Sequence, residues 1–124
     1  METDYARMEK ELKSRHINIK FPVLGEYRVR VVVTSDLKKS LEQHGIPADA
    51  DDNSTYAMAV HEDGTGYSAI FLPYGANISS VVHESWHVIR RMMEYLGIEL
   101  DNETVAYHLG YLTEKVYNFL RKGK

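Results

Sequence analysis

Cysteine is absent from the 124 residues of the chain. That one absence removes disulfides, thiol nucleophiles, Cys-ligated zinc and iron–sulfur clusters, and it leaves His and carboxylate side chains to hold any metal. A basic excess is absent too. With 15 Lys+Arg against 18 Asp+Glu the formal charge is -3, so no general positive field draws DNA, RNA or anionic lipid, and nucleic acid is not an expected partner. No run approaches the ~18 apolar residues of a membrane span. The segment from Met1 to Leu12 is charged and carries no apolar stretch of the kind a secretory leader needs, so the chain reads as cytoplasmic, with no membrane association.

What is present, 44% hydrophobic and 27% charged residues without repeats or a composition break, suits a single domain over residues 1–124. Residues 2–14 lean towards a polar surface helix. Ile17 to Phe21 and Tyr27 to Val33 alternate as two strands, the second turning apolar throughout, as a central strand does. Ser35 or Asp36 can cap a short helix through Leu37 and Leu41 that Gly45 and Pro47 end, and Ala48 to Ser54 form an acidic loop. Two alternating runs over residues 55–72 flank Asp63-Gly64, which predicts a β-hairpin. From Ile78 the positions Val82, Trp86, Ile89, Met93 and Leu96 recur at helical spacing, with Asn77, Ser79 or Ser80 as N-cap and Gly97 as the stop. A second long helix starts at Asp101 or Asn102 and carries Val105, Leu109, Leu112, Val116 and Phe119 or Leu120 on one face. The expected fold class is α+β: a small, mostly antiparallel, twisted sheet of about four strands with two long helices on one face, the first of them nearest the sheet.

The first long helix contains His83, Glu84, Ser85, Trp86 and His87, an H-E-x-x-H motif around the only Trp. By composition such a match arises roughly 0.02–0.03 times by chance in a chain like this one. Four residues turn an α-helix by about 400°, so the two imidazoles lie one turn apart on one side and can share a metal ion. Glu84 is rotated about 100° from His83, beside the open coordination position, where a carboxylate can accept a proton from bound water. A catalytic zinc needs a third protein ligand. Glu103, in the first turn of the last helix and 16 residues beyond His87, is favoured there by the helix dipole, and Ala106 and Gly110 on its face allow close approach; Asp101 and His108 are the other candidates. Arg90 and Met93 stand where H-E-x-x-H-x-x-G-x-x-H would require Gly and His, which excludes the metzincin arrangement. Tyr107 and Tyr111 are candidate donors to an oxyanion. His16, His44 and His61 fall at element ends and read as surface residues, Arg90 and Arg91 as a solvated flank, and the Asp49–Asp52 cluster lacks the calcium-loop pattern.

These residues resemble the zincin metallopeptidases, and among them the gluzincins, whose third ligand is a Glu on a later helix. The segment from about residue 55 to 120 is similar to minimal gluzincin-like domains of the ImmA/IrrE type and to short zincin-like proteins of bacteriophages. The resemblance implies a Zn2+ cofactor held by His83, His87 and Glu103, Glu84 as general base, and Tyr67 to Leu72 as the edge strand on which an extended peptide or protein substrate pairs. It implies hydrolysis of peptide or amide bonds. The alternative is a catalytically silent zincin-like protein that keeps a structural metal and binds a partner. A chain of this length lacks a second lobe to wall a cleft, so an active enzyme needs a homo-oligomeric partner, a shallow cleft or a very particular substrate.

Overall fold

The computed structural model describes residues 14–45, 57–61 and 64–122. The expected surface helix over residues 2–14, apart from its last residue, the acidic loop Ala48 to Ser54 and the turn residues Glu62 and Asp63 lie outside the described residues. The elements run β1 (Arg15–Lys20), β2 (Arg28–Thr34), α1 (Leu37–Gln43), β3 (Met58–His61), β4 (Tyr67–Pro73), α2 (Ile78–Leu96) and α3 (Asn102–Lys122). They form the α+β architecture expected, a four-stranded sheet in the order β1-β2-β4-β3. The outer pairs β1/β2 and β3/β4 are antiparallel and the central pair β2/β4 is parallel.

That central pairing corrects one expectation. Tyr67 to Leu72 are not an edge strand: β4 lies between β2 and β3, and the edge beside it is β3. The reason is burial on both faces. Ile70 and Leu72 join the core under the long helices, whereas Ala69 and Phe71 join Val32 and Leu41 on the face covered by α1, and a strand apolar on both sides belongs inside a sheet. Parallel β2 and β4 also require a crossover, and α1 lies within it.

The caps are local and match the residue types. Asp36 caps α1, accepting a bond from the Lys39 amide at 3.0 Å. Asn77 caps α2 through the Ser80 amide at 2.9 Å. At the other end Gly97 adopts φ 68°, and the amides of Gly97 and Ile98 bond the carbonyls of Glu94 and Met93, the paired closure that only a residue tolerant of the left-handed region permits. Asp101 receives both the Thr104 amide and the Thr104 hydroxyl at 2.8 Å, which caps α3 and holds the Asp101 carboxyl below its ordinary range. Because the folded-state pKa is depressed, this stabilisation is complete above the unfolded carboxylate value and disappears as pH falls through the folded one. Asp101→Ala is therefore expected to lower the thermal midpoint at pH 7, with the difference from wild type vanishing at strongly acid pH in a calorimetric series.

The face that α2 buries differs from the expected one. Val81, Ser85, Val88, Ile89, Met92 and Met93 are buried, whereas Val82 and Trp86 are 39% and 37% exposed. Ile89, Met93 and Leu96 belong to either stripe. Centring the buried side on Val88 and Met92 takes in Val81 as well and sets the small Ser85 against the sheet. Centring it on Val82 and Trp86 would push Val81, Val88 and Met92 into water, and the larger apolar area wins. The face of α3 is as read from the sequence: Leu112, Val116 and Leu120 are buried, with Val105, Leu109 and Phe119 packed beside them. Arg15 ties β1 to the end of α3, donating to the Phe119 carbonyl at 2.8 Å where the helix dipole favours a cation. No described helix is long and apolar enough to cross a membrane.

Candidate metal centre

The buried side of α2 rests on β3 and β4, and the H-E-x-x-H residues sit on its first half. His83 and His87 face outwards and are exposed. Their Nε2 atoms stand 3.2 Å apart, with the rings nearly perpendicular at 76°. Two nitrogen ligands each about 2.0–2.1 Å from a tetrahedral zinc are about 3.3–3.4 Å from one another, so the pair already has the bite that one ion requires. Neither nitrogen needs to travel far to reach it.

Glu84, one step round the helix, is only 7% exposed. Its Oε1 accepts the Ala59 amide at 3.0 Å, and its Oε2 lies 4.0 Å from His83 Nε2. The Ala59 amide is free for this because alternate residues of an edge strand turn their N–H away from the neighbouring strand. One carboxylate oxygen is thus anchored to β3 and the other faces the histidines. The ligand atoms of His83, Glu84 and His87 all lie within 4.8 Å of one another, and among the described residues they form the one such group of three.

Glu103 stands outside it. From His87 the helix runs on to Leu96, a rise of about 13 Å, before the chain turns, and α3 then begins at that far end. Glu103 and Tyr107 share the outer side of α3, opposite the Leu112 and Val116 face, and both are exposed, Tyr107 by 53%. Of the other candidates, Asp101 is engaged as the cap described above. His108 is buried against Phe21, with Nδ1 donating to the Thr104 carbonyl at 2.8 Å. Tyr111 donates to the Lys20 carbonyl at 3.2 Å, on the β1 side of α3. Arg90 and Arg91 flank Glu94 at 3.6 and 3.8 Å. His44 closes α1, donating to the Ser40 carbonyl at 2.8 Å, and His16 lies on β1 opposite Val32.

His61, read from the sequence as a surface residue, is half-buried and engaged. It lies directly across the hairpin from Ser68, whose Oγ is 2.7 Å from its Nδ1, and Ser68 in turn meets the hydroxyl of the buried Tyr27. Burial first, then the nearby Arg91 guanidinium and His87 ring, hold the His61 pKa below its ordinary range. Burial likewise raises that of Tyr27, with the Ser68 bond opposing. Counted outwards from Asp63-Gly64, the sequence would set His61 opposite Gly66; the observed register sets it opposite Ser68, so the turn dipeptide carries no signal for this contact.

No protein-family model matches the chain, and neither a curated protein nor a solved structure does.

Proposed function

We propose that the protein is a zinc-dependent peptidase of the H-E-x-x-H type that hydrolyses peptide or amide bonds. The observation that carries this reading is the 3.2 Å separation of His83 and His87 Nε2 beside a buried, strand-anchored Glu84. A structural metal site has no use for a carboxylate held in that position, whereas a hydrolytic site needs a base there. The donor set, two imidazoles with a neighbouring carboxylate and no sulfur, suits zinc as it does other imidazole-binding divalent ions, and among the described residues no protein ligand beyond these three joins the group.

When bound by His83 and His87, zinc supplies Lewis-acid polarisation of the scissile carbonyl and a water whose pKa is lowered from ~15.7 towards ~7. Glu84 accepts the proton of that water at Oε2 and returns it to the leaving amine, while Oε1 stays fixed on the Ala59 amide. Among the described residues β3 pairs with β4 alone, so an extended substrate can line its outer edge beside the Ala59 amide that Glu84 already holds. The test is hydrolysis of a peptide library by the chain stripped of metal and then reloaded. Cleavage that appears only with zinc supports the reading, and no cleavage in either state contradicts it.

A second reading has its own observation. Ile78, Val82 and Trp86 form an exposed apolar ridge next to the two histidines, 49%, 39% and 37% exposed. Such a ridge fits a protein partner held beside a metal without turnover. Under this reading Trp86→Ala removes partner binding and Glu84→Gln leaves it intact.

A further inference from the structure

We propose that Tyr27, Ser68 and His61 form a one-way hydrogen-bond chain that fixes His61 as an Nε2–H donor beside the His83–Glu84–His87 group, where that N–H receives the oxyanion of the hydrolysed carbonyl. The direction of the chain follows from counting protons. Tyr27 is fully buried, and among the described residues its hydroxyl meets one hydrogen-bond partner, the Ser68 Oγ. A buried phenol proton has to be donated, so Ser68 accepts it. Ser68 is itself fully buried, and its own proton has one acceptor in reach, His61 Nδ1 at 2.7 Å. Nδ1 therefore carries no hydrogen, and the imidazole proton sits on Nε2. The opposite assignment, with Nδ1–H donating to Ser68, leaves the serine proton or the tyrosine proton buried without an acceptor. A doubly protonated ring meets the same obstacle, since its Nδ1–H would again point at Ser68.

The position of the donor follows from the strand. Residues 59 and 61 project to the same side of β3, the side on which Ala59 packs with the core under α2. Ala59 holds Glu84, and His61 stands two residues farther along the same strand. The ring is not a ligand in this arrangement, because a protonated Nε2 has no lone pair to give. Its N–H is instead a donor with a fixed orientation, which is what stabilises charge developing on oxygen. As the water oxygen bonds to the carbonyl carbon, the π pair moves onto the carbonyl oxygen and the water proton goes to Glu84. His61 donates a hydrogen bond to the new anion and transfers no proton. Tyr27 and Ser68 are positioning residues, and Tyr107, on the outer side of α3, has no part in it.

The oxyanion role rests on the peptidase reading; the direction of the chain does not. The first test is long-range proton–nitrogen NMR of the metal-free, 15N-labelled protein at pH 7.5. His61 is expected as the Nε2–H tautomer in wild type and as a mixture of both tautomers in Ser68→Ala; an Nδ1–H tautomer in wild type overturns the chain. The second test compares zinc-loaded variants. His61→Ala is expected to lower kcat by about 10²–10³-fold, the cost of losing one oxyanion donor, with zinc affinity changed by less than about twofold. His61→Gln, which keeps an amide donor, is expected to recover part of the loss. Loss of zinc by His61→Ala makes the residue a ligand and overturns the proposal. A zinc-loaded wild type without hydrolytic activity removes the oxyanion role together with the peptidase reading, while the tautomer still decides the chain.

Discussion

Glu84→Gln is expected to lower the turnover of the zinc-loaded protein by about 10²–10⁴-fold, the usual contribution of a positioned general base, while leaving zinc affinity unchanged. The substitution is well matched to the site. A glutamine carbonyl oxygen still accepts the Ala59 amide that Glu84 Oε1 holds at 3.0 Å, so the anchor to β3 survives and the proton-accepting carboxylate is what disappears. Glu84→Ala is a poorer probe, because it strands that amide and opens a hole beneath the helix. Steady-state kinetics on both variants, with metal content measured on the same samples, separates the two effects. Equal turnover by Glu84→Gln and wild type contradicts a catalytic role for the carboxylate.

The second large effect concerns stability. Met92→Ala is expected to destabilise the fold by about 2–5 kcal/mol, the range for truncating a fully buried large side chain without collapse of the cavity. Against a total stability of about 5–15 kcal/mol that is a substantial share. A matched pair makes the comparison sharper, since Val88 is fully buried and Val82 is 39% exposed on the same helix. Val88→Ala is expected to cost about 1.5–3 kcal/mol, and Val82→Ala about 0.5 kcal/mol or less. Urea unfolding followed by circular dichroism reads both. Equal losses in the pair contradict the orientation of α2 and restore the stripe through Val82 and Trp86.

What was legible in the sequence was local. The β3–β4 hairpin, the helix starts narrowed to Ser35 or Asp36, to Asn77, Ser79 or Ser80 and to Asp101 or Asn102, the stop at Gly97 and the inner face of α3 all depend on residues within a turn or two of one another. The orientation of α2 was not, because two overlapping apolar stripes share Ile89 and Met93, and what chooses between them is the sheet beneath. Nor was the interior place of β4, which comes from a parallel pairing with β2 across α1 and β3. The pairing of His83 and His87 was legible because both members sit on one helix. Glu103 was a different case. Both boundaries of α2 were readable, and the nine residues from Val88 to Leu96 carry the chain about 13 Å away from the histidines before α3 begins. The engagement of His61 is not legible for the converse reason, since its partner Ser68 lies across the hairpin instead of along it.

The central claim is a metal held by His83 and His87, and calorimetric titration of the metal-free chain with Zn2+ addresses it most directly. Wild type is expected to bind one equivalent, and His83→Ala and His87→Ala each to abolish that binding, because either change leaves one imidazole where the 3.2 Å pair stood. Glu103→Ala, altering a side chain at the far end of the helical hairpin, is expected to bind as wild type does. Stoichiometric zinc retained by the His83→Ala/His87→Ala double variant contradicts the account.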